Sequence, residues 1–322
     1  MIITKAPMRI TLAGGGTDVA SRFHDGFKGA TLSVAITVPV WATVSRRFDD
    51  DVVACYREVE RVDHAGKLKN ELIRALLLET EFVDRIEVHS ISQLPLAACG
   101  LGGSSSFAVA LAYALLLLRK EEGSPQLHNP YSKGGARSLA QYVELEKLKK
   151  NIGTQDHSIA DMGGIQKITY TRGYMSESVS LGYIAHALLT ERMILIPCAK
   201  RAGDASAILK DQFPNLSIAK QMAELVPPCA EALANGYLGM VIELLNQTWD
   251  LKNQLPGVAC ASADVIASEI RKRGGGAKLC GAGGGGYVLG LMQTPEDSQK
   301  LKNEFKGSFL INPQYRGLEQ LA

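Results

Sequence analysis

Residues 99–118 read CGLGGSSSFAVALAYALLLL, in which three glycines and three consecutive serines run straight into the apolar stretch Phe107–Leu118. Glycine leaves no Cβ in the way of a tight backbone turn, and the serines fall where the first unpaired N–H groups of a following helix point outward. A helix opened in this way is suited to receive an anion. The apolar stretch predicts a buried core helix over 104–119 and is too short to span a bilayer. No Gly-Lys-Ser/Thr follows the glycines, so this is not a Walker A loop and brings no lysine to a bound phosphate. Backbone N–H groups, the helix dipole and serine hydroxyls must hold the anion instead.

At 322 residues, 46% hydrophobic and 21% charged, the chain buries a sizeable core and has the length of about two domains. A formal net charge of +2 is too small for a nucleic-acid footprint, so an anionic partner is met locally. The N-terminal MIITKAPMRITLAGGG lacks a basic stretch leading into an apolar signal core, which predicts a cytoplasmic protein with no membrane attachment. Cys55, Cys99, Cys198, Cys229, Cys260 and Cys280 show no C-x-x-C pair and no His at metal spacing; they read as reduced core residues.

Apolar and β-branched runs predict strands near Ile2–Lys5, Arg9–Ala13, Thr31–Arg46, Val52–Tyr56 and Arg85–Ser92, then near Gln166–Thr171, Glu177–Leu181 and Arg192–Pro197. Helices are expected at Glu71–Thr80, 104–119 and Ala136–Lys150, and beyond residue 200 at 204–213, 216–234, 238–252 and 262–273. Strands first and helices later argue an α+β fold, not a doubly wound sheet. The texture changes near 182–190, which divides the chain into 1–185 and 186–322.

Two further glycine clusters flank the opening one. In APMRITLAGGGTD, residues 6–18, a strand ends in three glycines, and Thr17 and Asp18 project from the far side of a loop that can approach a ligand closely. A plainer reading makes Asp18 the cap of the next helix. In KLCGAGGGGYVLG, residues 278–290, Gly281, Gly283 and Gly286 satisfy G-x-G-x-x-G, but strand-like Tyr287-Val288-Leu289 follows where a dinucleotide site needs a helix. Strand, glycine loop, strand is the better reading, with the loop packed against another loop or a ligand.

In this order the three clusters resemble the motifs of the galactokinase, homoserine kinase, mevalonate kinase and phosphomevalonate kinase (GHMP) superfamily. The ending Gly-Gly-Gly-Thr-Asp, with GTQDHSIADMGGI at 153–165, looks most like the D-glycero-D-manno-heptose 7-phosphate kinases. The resemblance implies an N-terminal domain of ribosomal-protein-S5-like topology, a ferredoxin-like C-terminal domain, and ATP with magnesium as phosphoryl donor. It places the nucleotide's phosphates on Gly100, Leu101, Gly102, Gly103, Ser104, Ser105 and Ser106. Magnesium falls to Ser104 and Glu144, hard oxygen donors of the kind it prefers. Glu146, two residues on, points to a different helix face. Asp156 matches the catalytic aspartate that accepts the proton of the attacked hydroxyl, with Arg9 beside it. Gly15, Gly16, Thr17, Asp18, His157, Gly283 and Gly284 would contact the sugar.

The chain departs from the family in three places. Gly103 stands where many relatives have Ser or Thr, His157 follows Asp156 where heptose kinases usually have Gln, and Arg201 in CAKRAGDAS lies two residues early. A substrate phosphate wants a guanidinium or a lysine cluster; Lys200 with Arg201, Arg22, Lys167 and Arg172 are the candidates. The resemblance thus implies a sugar kinase that phosphorylates the anomeric hydroxyl of heptose 7-phosphate, for nucleotide-activated heptose in surface polysaccharide. It would act as a monomer or homodimer, without nucleic acid or membrane partners. Two alternatives stand beside it: a kinase of an unphosphorylated sugar such as fucose or an amino sugar, and a non-catalytic sugar and nucleotide sensor on the same fold. Ser104, Glu144, Asp156 and Arg9 together speak against the sensor.

Overall fold

The computed structural model describes residues 1–22, 26–94, 99–123, 134–199, 205–212 and 215–322. Its first part runs β1 (Ile2–Ala13), β2 (Lys28–Arg46), β3 (Val52–Cys55), β4 (Val59–Val62), α1 (Glu71–Glu79), β5 (Ile86–Ser92) and α2 (Gly103–Glu121). Next come α3 (Gly135–Gln141), prolonged by a π-helical turn Tyr142–Lys147, then α4 (Gln155–Met162), β6 (Ile165–Thr171), β7 (Tyr174–Ser180) and α5 (Tyr183–Leu189). The second part is β8 (Met193–Pro197), α6 (Ala205–Asp211), α7 (Leu216–Glu224), α8 (Val226–Ala234), α9 (Leu238–Lys252), α10 (Ala261–Lys272), β9 (Gly276–Leu279), β10 (Tyr287–Leu291), α11 (Pro295–Glu304), β11 (Phe309–Ile311) and β12 (Glu319–Gln320).

The expected strands at Ile2–Lys5 and Arg9–Ala13 are one strand. The chain carries Pro7 past β2 through a bulge between Pro7 and Arg9, and a second bulge lies between Thr11 and Ala13. Such bulges re-aim side chains at the ends of strands. Long β2 holds β1 along one edge; on the other, its second half pairs with β5 and its first half with β6. The first sheet runs β12-β1-β2-β5-β3-β4, with β6 and β7 beside the first half of β2. Helix α2 packs on β1 and β2 and is covered by α3 and α4, so its apolar residues are buried all round. No described helix is long and apolar enough to cross a membrane.

The second sheet has the antiparallel order β11-β8-β10-β9, which in chain order is fourth, first, third, second, the ferredoxin-like arrangement. The third glycine cluster is the turn of the β9–β10 hairpin, so a dinucleotide fold is excluded. Helix 216–234 breaks into α7 and α8 at Leu225, just before Pro227 and Pro228, since proline suits only a helix's first turn. Elements β4, α4, α5, α11, β11 and β12 have no counterpart among the elements expected from the sequence. The division expected after residue 185 falls within α5, and the chain's end crosses back: β12 pairs with β1. One apolar cluster joins Leu12 and Val34 of the first sheet to Val226, Leu289 and Ile311 of the second part.

Candidate active site

A cleft of about 190 Å³ opens where the first two glycine clusters meet the third. Arg9, Gly15, Gly16, Asp18, Gly100, Gly102, Gly103, Ser104, Ser105, Glu144 and Asp156 all line it, so most of the residues singled out in the sequence lie together. The volume falls short of a small-molecule pocket of roughly 300–1,000 Å³.

Helix α2 begins at Gly103, with Gly102 in the left-handed conformation at φ 76° as its cap. Ser106 donates its N–H to the Gly102 carbonyl, which leaves the preceding N–H groups of the first turn directed out of the helix end. Packing at 102 is tight as well, because a Cβ there would stand 3.0 Å from Asp156 Oδ2 and 3.3 Å from Arg9 Cγ. The second and third clusters touch backbone to backbone: a Cβ on Gly281 would lie 2.4 Å from Gly100 Cα. The third loop therefore packs against another loop, one of the two partners its glycines suggested.

Arg9 is buried, and its Nε and Nη2 donate to Asp156 Oδ1 and Oδ2 at 2.7 and 2.8 Å, while Nη1 donates to the Gly100 carbonyl at 2.6 Å. This two-armed geometry fixes the carboxylate's plane as well as its position. Asp156 sits in the first turn of α4. Asp18 receives the Gln155 N–H at 2.9 Å and Gln155 Nε2 at 3.0 Å. Asp18 is thus a helix cap, but of α4 rather than of the next helix in the chain, and it helps hold Asp156 in place. Burial and the nearby Asp156 carboxylate push the Asp18 carboxyl above its ordinary range, against the Gln155 backbone hydrogen bond.

Glu144 lies in the π-helical turn and is fully buried, whereas Glu146 faces outward and meets Lys149 and Tyr174. Glu144 Oε2 accepts from Ser105 Oγ and faces His157 Nε2, each at 2.8 Å; Oε1 accepts from Lys150 Nζ at 2.8 Å. Burial works to raise its pKa, but the His157 hydrogen bond, His157 and Lys150 outweigh it and hold the carboxyl at about 2. π-helical turns often occur at functional sites, where they shift one side chain's aim.

Several expectations need correction. His157 is completely buried behind Glu144, so it orients that carboxylate and does not reach the cleft. The Thr17 hydroxyl donates to the Ala30 carbonyl and accepts from the Ala30 N–H, tying its loop to β2. Ser106 Oγ donates to the Pro7 carbonyl, and the Leu101 carbonyl accepts from the Arg9 N–H; both residues sit behind the loop. Gly283 and Gly284 pack against Val258, and it is Gly281 and Ala282 that line the cleft. The hydroxyl bonded to Glu144 is Ser105's, while Ser104 lines the cleft beside it. Of the candidates for a substrate phosphate, Lys167 and Arg172 do not line the cleft. Lys200, Arg201 and the Arg22 side chain lie outside the described residues.

The cleft also holds residues the sequence reading missed: Thr11, Lys150, Gln155, Gln212, Lys252 and Lys278. Lys278 is fully buried and donates to the Thr11 carbonyl at 2.7 Å, across the junction of the two sheets; burial pushes it down to about 8. Thr11 follows Arg9 by two residues on the same strand face and Gln155 adjoins Asp156, so both were readable by position. Nothing in the sequence marks Lys252, which resembles any last-turn cation of a helix.

The GHMP kinases N terminal domain matches residues 65–164, and the GHMP kinases C terminal family matches residues 229–311. A D-glycero-alpha-D-manno-heptose 7-phosphate kinase from Campylobacter jejuni is 24% identical over 312 residues, 89% of this chain and 88% of that protein. Among solved structures, a D-glycero-D-manno-heptose 1-phosphate kinase from Bacteroides thetaiotaomicron superposes with a TM-score of 0.77 at 17% identity, over 100% of this chain and 99% of the other. Streptococcus pneumoniae phosphomevalonate kinase, in complex with phosphomevalonate and AMPPNP, superposes with a TM-score of 0.74 at 17% identity over 100% of both chains. With both domains matched, the fold shared over its whole length and the three glycine clusters around one cleft, the chain belongs to the GHMP kinases and is a phosphotransferase with an alcohol acceptor.

Proposed function

We propose that this protein uses ATP to phosphorylate the anomeric hydroxyl of D-glycero-D-manno-heptose 7-phosphate, giving the 1,7-bisphosphate. The product would serve nucleotide-activated heptose and, from there, surface polysaccharide. The observation that carries the reading is the Arg9–Asp156 pair beside the open N-terminus of α2. Phosphoryl transfer asks the protein mainly to position groups and neutralise charge. The free N–H groups of α2 and the Ser104 hydroxyl take the nucleotide's phosphates. Asp156, held by Arg9, accepts the proton of the sugar hydroxyl as its oxygen attacks phosphorus. Asp18 keeps acceptor capacity beyond its two Gln155 bonds for sugar hydroxyls.

The donor set at Glu144 fits magnesium, since carboxylate and hydroxyl oxygens are the ligands it takes. Glu144 and Ser104, with Ser105 adjoining, would hold it, and Lys150 must leave Glu144 Oε1 for the cation to bind there. When bound, the metal supplies charge neutralisation to the phosphates. Residues 1–185 would then be the nucleotide-binding domain and 186–322 the domain that completes the acceptor site.

The second reading, a kinase of an unphosphorylated sugar, draws support from the cleft's cations, which all have partners: Arg9 and Lys150 pair with carboxylates, and Lys252 and Lys278 donate to the Gly281 and Thr11 carbonyls. ³¹P spectroscopy of the product separates the two. A new anomeric phosphate signal with the heptose 7-phosphate as acceptor supports the first reading. The same signal only with fucose or an amino sugar supports the second.

A further inference from the structure

Away from the cleft, the parallel pairing of β3 with β5 sets Cys55 opposite His89 and Val53 opposite Glu87. Glu87 precedes His89 by two residues on the same strand face. The Cys55 thiol, a Glu87 carboxylate oxygen and a His89 ring nitrogen all lie within 4.8 Å of one another. The sequence gives no hint of this, because strand register rather than chain spacing brings the three together.

We propose that this face of the first sheet binds a first-row transition-metal dication, Zn²⁺ in the first place. Thiolate, imidazole and carboxylate together form a donor set that zinc takes readily, while the soft sulfur disfavours magnesium and calcium. Three protein ligands leave a fourth tetrahedral position for water, and the half-buried Glu87 and His89 keep the site reachable. The ligands stand on paired strands, which hold them near one another without a loop to order. Glu87 is also oriented from behind: Oε1 meets His89 Nε2 at 2.7 Å, while Oε2 accepts from Arg47. A bound dication replaces the His89 contact at Oε1 and leaves Arg47 in place, and partners of this kind hold a metal's carboxylate in position. One thiolate and one carboxylate neutralise the ion. Zinc binds the thiolate, so its uptake releases the Cys55 proton. None of the three residues lines the cleft.

The test is calorimetric titration of the full chain with Zn²⁺, together with the absorption spectrum of its Co²⁺ complex. One ion per chain is expected, with a thiolate-to-cobalt charge-transfer band and a higher melting temperature in zinc. Cys55→Ser and His89→Gln should each weaken binding at least about tenfold, and Cys55→Ser should abolish the band. Cys260→Ser, which replaces a half-buried thiol that meets the Ser262 hydroxyl, should change neither. His89→Cys keeps a ligand and should retain binding, which decides the matter if Cys55→Ser fails to fold. No binding to the wild-type chain, binding indifferent to Cys55→Ser and His89→Gln, or binding that follows Cys260 would overturn the proposal.

Discussion

Arg9 from the first strand and Asp156 from the first turn of α4 meet through two parallel hydrogen bonds of 2.7 and 2.8 Å. Arg9 is buried and Asp156 largely so, which makes the pair costly to break from one side. Arg9→Met leaves the carboxylate without its cation and is expected to lower stability by about 3–5 kcal/mol. Adding Asp156→Leu should restore much of that loss, because an apolar pair costs little in place of a buried ion pair. Urea unfolding of both single variants and the double variant measures this. Equal stability of Arg9→Met and wild type would contradict the pairing.

Acid should weaken the fold through Glu144. Its folded pKa of about 2 lies below the ordinary 4.5, so its contribution is complete above about pH 4.5 and is lost as the pH falls toward 2. The size is about 3 kcal/mol. Glu144→Gln should therefore unfold with a flatter pH dependence between 5 and 2 than wild type, as followed by denaturant titration at several pH values. Parallel curves for the two proteins would show that the carboxylate is not held as described.

Lys278 works the other way. Its folded pKa of about 8 lies below the ordinary 10.5, so carrying the charge costs stability below pH 8, and the cost disappears as the pH rises from 8 to 10.5. Lys278→Met should accordingly be at least as stable as wild type at pH 7, and should lack the gain between pH 8 and 10.5. Its kcat/KM should fall, since the cleft loses a cation. A variant less stable than wild type at pH 7 would mean that the bond to the Thr11 carbonyl outweighs the burial penalty.

Glycine at 281 answers to packing as well as to backbone conformation. Gly274 and Gly281 share a positive φ, at 77° and 72°, but a Cβ on Gly274 meets open space whereas one on Gly281 meets Gly100. Gly274→Ala should cost only the left-handed backbone penalty of about 1–2 kcal/mol. Gly281→Ala should cost more and also lower kcat/KM, because the two loops that frame the cleft must separate. Thermal melts beside initial rates test this; equal effects of the two substitutions would contradict it.

Much of this site was legible because its chemistry depends on local patterns. Glycine runs, serines leading into an apolar helix and a carboxylate in TQDHS each leave a short-range signature, and Arg9, Ser104, Glu144 and Asp156 do line one cleft. What escaped depends on long-range pairing. The Thr17 hydroxyl looked available for a ligand, but Ala30 across the loop claims it. Asp18 looked like a cap for the helix beside it and instead caps one from a distant part of the chain. Short α4 opens with four consecutive polar residues and has little amphipathic pattern, so nothing marks it as a helix. The C-terminal β12 has only two residues, too few for any strand periodicity to show.

The proposed function rests on Asp156 as the base for phosphoryl transfer to a heptose 7-phosphate. The most direct measurement is ADP release with magnesium and ATP across D-glycero-D-manno-heptose 7-phosphate, mannose, fucose and mevalonate, run for wild type and Asp156→Asn. Turnover is expected only with the heptose 7-phosphate, with a loss of about 10²–10⁴-fold in kcat for the variant, the usual worth of a positioned base. Turnover of the heptose 7-phosphate that Asp156→Asn leaves intact would rule out Asp156 as the base, and rapid turnover of an unphosphorylated sugar with none of the heptose 7-phosphate would rule out the substrate.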